Sequence, residues 1–407
     1  MSLRDKLKKF EKNNKPQKPK NRNKGYKNED AFTNKIINNK QGSYLKSINK
    51  YNLEYEHGLY QINKLFQKLD VNTISTIANI KVENIIDNIK NNVLFIDTET
   101  TGLMGGTGTV AFLIGAGYFS EDNFVIEQYI MRDYDEEPPM LYDIKKLMED
   151  YSIIVSFNGK SFDLPLIKTR FILNRFERFN FDLHLDLLHS ARRIWSFLDS
   201  CSLNSLENNI LNFKRVGDIP GHLIPGIYFD FLEKKDLELL SPVLEHNIYD
   251  ILSLVTLFTH LKEVHLDNVD NLTPHELFHL GRIKEKDKDY KNCINYLKQS
   301  IENSNESTIR YRALKKLSWQ YKRVDQYEKA VEIWQEMIEK EKLGIFPYVE
   351  MAKYLEHKKK DYDKALRYTN ESILLLKEKR LIMSNYDKKL TKLEYRKERL
   401  KRKIAKN

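Results

Sequence analysis

Two carboxylates, Asp97 and Glu99, directly follow a short apolar run, Val93-Leu94-Phe95-Ile96. The run predicts a buried β-strand, and alternation along a strand places residues 97 and 99 on the same face. Strand interiors disfavour aspartate, so such a pair needs a cation or an unusually polar environment. Oxygen ligands of this kind bind Mg²⁺ and Mn²⁺ in proteins. We therefore predict a divalent-metal site; a turn cap at Asp97 and a solvated Glu99 are the alternative.

The elements that must position these residues continue along the chain as further strand patterns. Runs at 110–119 and 124–130 follow the first strand after short turns, which is typical of a meander. A helical pattern from Pro138 to Met148 precedes a strand at 153–155, and another strand is predicted at 184–188. Together with a last helix over about 237–262, this order predicts an α/β domain with a mixed central sheet.

Three more residues able to do chemistry lie on these elements. Asp163 lies where a helix begins after the turn at Asn158-Gly159, and the alternative role of its carboxylate is to cap that helix. His246 and Asp250 are four residues apart in the last helix, so their side chains share one face.

Taken together, the four acids resemble the DEDD exonucleases, a superfamily with the ribonuclease H-like fold. The motifs that carry the resemblance are Asp97-Thr98-Glu99-Thr100-Thr101-Gly102, Asn158 to Asp163, and His246 to Asp250. A narrower similarity, to the bacterial YprB-like group of predicted exonucleases, covers about 92–375. It rests on Gly115-Ala116-Gly117-Tyr118, Ser156-Phe157-Asn158-Gly159, Asp218-Ile219-Pro220-Gly221 and His246 to Ile251. The resemblance implies a ribonuclease H-like exonuclease domain over 92–265.

The resemblance also implies 3′ to 5′ phosphodiester hydrolysis with two divalent ions, Mg²⁺ or Mn²⁺, held by Asp97, Glu99, Asp163 and Asp250. His246 would take the proton of the attacking water, which its ordinary pKa suits. One DEDD branch has a histidine five residues before its last aspartate, and the other has a tyrosine four before it. His246 stands at minus four, so a rotated neighbour, Glu245 or Tyr249, is the alternative base.

Substrate and partners are implied in the same way. In such enzymes the terminal nucleotide packs against the first-motif backbone, here Thr100, Thr101 and Gly102, and Asn158 and Phe162 would border the site. Similarity to a DNA-repair exonuclease of the YprB-like group implies DNA as substrate and a helicase partner. RNA as substrate, and an inert nuclease fold that serves as an interaction scaffold, are the alternatives.

The regions outside the nuclease domain differ in pattern. Residues 1–30 have few apolar side chains and predict a disordered basic arm, and we predict short amphipathic helices over 31–91 that pack on the nuclease domain. Over 270–378, helical patterns carry a motif whose tyrosines, 37 and 35 residues apart, are Tyr290, Tyr327 and Tyr362. This period resembles tetratricopeptide repeats, in which the motif opens each second helix. A basic helix is predicted over 379–407.

The net charge of +10 is concentrated at the two ends of the chain. Residues 1–30 hold 11 Lys and Arg against 4 Asp and Glu, and residues 376–407 hold 13 against 4. Segment 92–262 holds 15 against 25, a net charge of −10. Basic ends fit phosphate binding, with solvated tails and a solvated capping helix as the alternative.

Cysteine usage and hydropathy set the expected compartment. Cys201 and Cys293 lie far apart and match no metal or disulfide pattern. No apolar run is long enough to span a bilayer, and the N-terminus is lysine-rich. We expect a soluble, cytoplasmic protein.

Overall fold

A computed structural model describes residues 33–80, 89–102, 108–177, 179–266, 269–270, 272–341, 344–378 and 385–406. The predicted basic arm at 1–30 lies outside these residues. The chain divides into two compact units between Val269 and Asp270. Among the helices in the described ranges, none has the length and apolar character needed to cross a membrane.

The first unit is built on a seven-stranded sheet in the order β1-β2-β7-β6-β5-β8-β9. The strands are β1 (Thr33–Asn39), β2 (Gly42–Asn52), β3 (Glu56–His57), β4 (Tyr60–Gln61), β5 (Val93–Thr100), β6 (Ala111–Phe119), β7 (Asn123–Ile130), β8 (Ile153–Ser156) and β9 (Leu183–Asp186). Strands β3 and β4 form a separate hairpin. Strands β5, β8 and β9 run parallel, and the other neighbours in the large sheet are antiparallel. The predicted mixed sheet is confirmed.

Helices flank this sheet. They are α1 (Val71–Ala78), α2 (Glu137–Glu149), α3 (Asp163–Leu173), α4 (Leu187–Trp195), α5 (Leu203–Asn209), α6 (Ile224–Lys234) and α7 (Ser241–His265). The first four residues of β5 are fully buried, as the apolar run predicts. Helix α7 is buried along its whole second half, from Ile251 to Val264. The central strand and the last helix therefore form a rigid base for the side chains they carry.

The prediction of helices over 31–91 is wrong for its first part. Residues 33–52 form β1 and β2, and β2 pairs with β7 to extend the sheet. Leu45 and Ile48 have a helical spacing, which suggested a helix. The buried positions of β2 nevertheless alternate from Leu45, and two of them are the polar residues Ser47 and Asn49. Polar residues on the inner face conceal the period of two on which strand prediction depends.

The second unit is all-helical in its described residues. Its helices are α8 (Pro274–Lys286), α9 (Tyr290–Glu302), α10 (Ser307–Arg323), α11 (Tyr327–Glu336), α12 (Phe346–Tyr354), α13 (Tyr362–Glu378) and α14 (Tyr386–Ile404). Helices α9, α11 and α13 each begin at the tyrosine of the recurring motif, as predicted for second helices of hairpins. Residues 379–384 of the predicted basic tail lie outside the described ranges.

Candidate active site

Asp97 and Glu99 lie in the second half of the central strand β5, where the strand leaves its fully buried part. Asp97 is paired with Gly115 on β6. The side-chain amide of Asn247 on α7 donates a hydrogen bond of 2.9 Å to Oδ2 of Asp97. A Cβ atom at residue 115 would lie 2.2 Å from Oδ1 of Asn247. The glycine is therefore required for α7 to approach the strand closely enough to orient Asp97.

Burial dominates the electrostatics of this pair. Burial, and then the charges of Asp250, Glu99 and Asp163, raise the pKa of Asp97 well above that of an ordinary aspartate. Burial raises the pKa of Glu99 to about 8; the charge of His246 opposes this shift, and Asp250 and Asp163 add to it. The protein thus collects more negative charge here than its own cations balance.

Asp163 is the first residue of α3, just after the turn that follows β8. Strands β8 and β5 are parallel, so their carboxyl ends meet at one edge of the sheet. The hydroxyl of Thr98 on β5 donates a hydrogen bond of 2.5 Å to Oδ1 of Asp163. Burial raises the pKa of Asp163 to about 6, although this hydrogen bond opposes the shift. The alternative role as helix cap is not observed, because the N-cap residue is Phe162.

His246 and Asp250 lie one turn apart on α7 and face the carboxylates. Nε2 of His246 lies 3.3 Å from Oδ2 of Asp250 and 3.8 Å from Oε1 of Glu99. One ligand atom from each of these three residues lies within 4.8 Å of the other two. Glu245 is exposed, and its carboxylate accepts a hydrogen bond of 2.8 Å from the hydroxyl of Tyr249. The structure therefore places His246 in the cluster and engages the two alternative bases with each other.

Asp218 orients His246, a contact that the sequence analysis did not predict. Nδ1 of His246 donates to Oδ1 of Asp218 over 2.7 Å when the imidazole carries its proton on Nδ1. Burial alone would lower the pKa of His246, but this hydrogen bond and the charges of Asp250 and Glu99 raise it to about 9. The ring is thereby fixed with Nε2 directed at the acids. The only sequence signal was the motif Asp218-Ile219-Pro220-Gly221, which carried no assigned role.

Arg215 is a buried cation at the same site, and it also went unpredicted. Its guanidinium donates to Oδ1 of Asp250 at 2.5 Å, to Oε1 of Glu207 at 2.5 Å and to Oδ2 of Asp218 at 3.2 Å. Its side chain is 4% exposed. Burial would lower the pKa of Arg215, but Asp250 and Glu207 raise it above that of an ordinary arginine. Arg215 thus holds Asp250 and Asp218 in fixed positions. An isolated arginine in a loop gives no sequence signal for this role.

The five predicted nucleotide contacts lie around the cluster without joining its hydrogen bonds. The hydroxyl of Thr100 donates to the carbonyl of Gly102, and Oγ1 of Thr101 accepts from the amide of Val110. The backbone N–H of Asn158 donates a hydrogen bond of 2.8 Å to the carboxylate of the buried Asp186, and this bond holds the turn in place. Phe162 is 55% exposed beside Asp163. Their contact with a nucleotide stays a prediction.

A pocket of about 590 Å³ opens at the cluster. Its lining includes Asp97, His246 and Asp250, together with Asn204 and the loop 217–221. The five predicted contacts, all of them described, do not line this pocket. The open space therefore borders the metal-ligand candidates on the side of Arg215 and Asp218.

The donor set fits hard divalent cations. Asp97, Glu99, Asp163 and Asp250 offer carboxylate oxygens, the ligands that Mg²⁺ and Mn²⁺ prefer. Burial is the main cause of the raised pKa values of Asp97, Glu99 and Asp163, and neighbouring carboxylates raise those of Asp97 and Glu99 further. The ligand atoms of Glu99, His246 and Asp250 are close enough together for several of these side chains to bind one ion.

Comparison with known proteins gives two matches. Residues 94–262 match the RNase_H superfamily. The chain is 34% identical over 333 residues to YprB, an uncharacterized protein of Bacillus subtilis (strain 168). This similarity covers 80% of this chain and 79% of YprB. The superfamily match contains all four carboxylates and His246.

Proposed function

The chain belongs to the family of Bacillus subtilis YprB and carries an RNase_H-superfamily nuclease domain, and from this premise we propose that it is a metal-dependent 3′ to 5′ exonuclease acting on DNA. The observation that carries the proposal is the cluster of Asp97, Glu99, Asp163 and Asp250 around one sheet edge, with raised pKa values for the first three. An inert scaffold has no need to keep such a costly arrangement of buried like charges.

The four carboxylates would hold two Mg²⁺ or Mn²⁺ ions. Bound cations would offset the carboxylate charge, bring the pKa of His246 towards neutrality, and stabilise negative charge on the attacking and leaving oxygens of the phosphodiester. Thr98 and Asn247 keep Asp163 and Asp97 in place by hydrogen bonds.

His246 is the proposed general base. Asp218 accepts the hydrogen bond from Nδ1, so Nε2 is the nitrogen left to take the proton of the attacking water. Arg215 holds Asp218 and Asp250 in fixed positions, which keeps the base beside the carboxylates. The position of His246 four residues before Asp250 therefore serves the role that a histidine at minus five has in one DEDD branch.

The 3′ to 5′ direction of cleavage and the choice of DNA as substrate are supported by resemblance to known exonucleases. DEDD exonucleases work from 3′ to 5′, and the length and architecture of this chain resemble mitomycin repair factor B, a DNA-repair exonuclease that acts with a helicase. We extend that role and the helicase partner to this protein as part of the proposal.

The test is a digestion of 5′-labelled and 3′-labelled DNA and RNA, single-stranded and duplex, with Mg²⁺, Mn²⁺ or EDTA. We expect a metal-dependent ladder from the 5′ label, with immediate release of the 3′ label on DNA. Asp163→Ala should abolish both, whereas Asp230→Asn, which changes a partly exposed acid on α6, should not. Faster digestion of RNA would reassign the substrate, and the absence of any cleavage would refute the nuclease.

A further inference from the structure

The second unit has the charge that a nucleic-acid-binding surface requires. Residues 270–407 hold 34 Lys and Arg against 22 Asp and Glu, a formal net charge of +12. The nuclease segment 92–262 has a net charge of −10 and would repel a phosphate backbone outside its metal site. Affinity for a long strand must therefore come from elsewhere in the chain, and the positively charged second unit is the region suited to supply it.

One face of α10 combines cations with an exposed aromatic ring. Arg312, Lys315, Trp319 and Arg323 follow one another at intervals of three and four residues, so they share one side of the helix. Trp319 is 42% exposed. The other two tryptophans, Trp195 and Trp334, are fully buried. A large aromatic ring that is this exposed on a charged helix face is available to stack with a ligand.

Phe346 of α12 and Lys315 fix the surroundings of Trp319. The rings of Trp319 and Phe346 meet edge to face, with their centroids 5.6 Å apart. Nζ of Lys315 lies 5.1 Å from the centre of the Trp319 ring and 5.0 Å from that of Phe346. A rigid aromatic platform next to an ammonium group is the arrangement that holds a base and its phosphate in proteins that bind single strands.

The cations of this face are only partly neutralised by the protein. Glu285 pairs with Lys316 and Arg323, both on α10. Within the part of the chain that the structure describes, neither Arg312 nor Lys315 has a carboxylate at ion-pair distance. Arg312 instead lies over the ring of Phe278, 4.7 Å from its centre.

Lys315 also has a second cation as neighbour. Burial, and then the charge of Lys389 on α14, lower the pKa of Lys315, although Glu350 opposes the shift. Two lysines close enough to repel each other are a place where a phosphate would be stabilised.

We propose that the Trp319 face, formed by Arg312, Lys315 and Trp319 of α10 with Phe346 of α12, binds single-stranded DNA. A base stacks on Trp319, and Arg312 and Lys315 contact the phosphates on either side. A duplex does not fit this role, because its bases are already stacked and unavailable to the indole ring. An acidic polypeptide would satisfy the cations but would leave the aromatic platform unused.

The test uses the full chain in EDTA, where the nuclease is inactive, and follows tryptophan fluorescence during titration with oligo(dT). We expect saturable quenching, because Trp319 is the exposed tryptophan of the three. Trp319→Phe should retain binding, measured by anisotropy of a labelled oligonucleotide, and lose the quenching. Trp319→Ala should weaken binding roughly tenfold to a hundredfold, as expected for one lost stacked base.

A double variant, Arg312→Gln with Lys315→Gln, should weaken binding and reduce the slope of log affinity against log salt by about 1.4, because each phosphate contact on a single strand contributes about 0.7. The matched control is Arg367→Gln, which removes an 80% exposed cation from α13, a second helix of a hairpin. Equal losses in the double variant and the control would overturn the proposal. Oligo(dT) titration without quenching, or tighter binding of poly-glutamate or duplex DNA, would overturn it as well.

Binding of single-stranded DNA by the Trp319 face is a function additional to the proposed nuclease activity, and each can be disproved without the other. Binding is measured without metal and without cleavage, so an inactive nuclease leaves the fluorescence result intact. Conversely, loss of the Trp319 face leaves metal-dependent cleavage of short oligonucleotides in place.

Discussion

Two buried acidic sites, one in each unit, differ in the charge that surrounds them. In the first unit, Asp97 and Glu99 lie among other carboxylates, and their pKa values are raised. In the second unit, the side chain of Glu356 is fully buried between Arg396, Arg399 and Lys403. Burial would raise the pKa of Glu356, but hydrogen bonds from Arg399 and Lys403 lower it to about 2.

The comparison separates a structural acid from a functional one. A buried carboxylate whose charge is balanced by its own chain holds two elements together, as Glu356 holds α14 against the π-helical segment Leu355–Lys359 that follows α12. A buried carboxylate whose neighbours are also acids is stable in its charged form only when something from outside brings positive charge. Burial alone does not distinguish the two, whereas the sign of the surrounding charge does.

The largest expected effect is on catalysis in the first unit. Asp97→Asn should lower the cleavage rate by about 10²- to 10³-fold, the scale of losing one electrostatic contact to the transition state. It should not lower the free energy of unfolding in EDTA, because it removes a repelled charge and keeps the shape of the side chain. Single-turnover cleavage and urea unfolding measure the two quantities. A large loss of stability would place Asp97 in the same class as Glu356.

Glu356→Gln should behave in the reverse way. The free energy of unfolding of the second unit should fall by about 2–3 kcal/mol, because three cations lose the charge of their common partner. Single-turnover cleavage at saturating DNA should be unchanged. The matched control is Glu371→Gln, a half-buried acid paired with the exposed Arg367, for which we expect a loss of less than about 0.5 kcal/mol. An active-site defect in Glu356→Gln would break the distinction.

Asp218→Asn tests the orientation of the base. We expect kcat to fall about 10- to 100-fold with KM unchanged, because the imidazole loses its fixed direction while the pocket keeps its shape. Asp218→Glu should restore part of the rate. Glu245→Gln is the control, since this exposed carboxylate bonds to Tyr249 and should be dispensable. If Glu245→Gln were the more damaging change, the base would be Glu245.

The pH dependence of stability should also differ in sign between the units. The folded pKa values of Glu99, about 8, and His246, about 9, exceed their ordinary values of 4.5 and 6.5, so the folded first unit binds extra protons. Its stability in EDTA should fall as pH rises from about 5 to 9. Glu356, with a pKa of about 2 against 4.5, contributes stability above pH 4.5 that is lost as pH falls towards 2.

Calorimetry of the full chain at several pH values measures both trends. We expect the transition temperature of the first unit to fall with rising pH, and Mg²⁺ or Mn²⁺ to remove most of this fall. Parallel pH dependences of the two transitions would contradict the comparison.

Much of the fold and the two residue pairs of the site could be predicted because they depend on local periodicity, whereas the meeting of these pairs with Asp163 was implied by the DEDD resemblance. Alternation along a strand places Asp97 and Glu99, and a spacing of four in a helix places His246 and Asp250. Helix α9 of the second unit begins at Tyr290, as the recurring motif predicted. Strand β2 was missed because Ser47 and Asn49 occupy its inner face.

The contacts around the base were missed for a different reason. Arg215, Asp218 and Glu207 lie in a loop and a short helix, and nothing in their spacing indicates that they converge on His246 and Asp250. These contacts depend on the tertiary path by which the chain returns across the sheet. The same holds for Gly115, whose role depends on an amide 132 residues further along the chain.

Helix α7 carries His246, Asn247 and Asp250 in its first half, and its second half is enclosed on all sides from Ile251 to Val264. Backbone amides in such a segment exchange with deuterium only when the whole unit opens. The candidate site is therefore anchored to the slowest-exchanging part of the first unit, so local fraying cannot switch it off. On heating, catalytic activity and the protection of the α7 amides from exchange should be lost at one temperature.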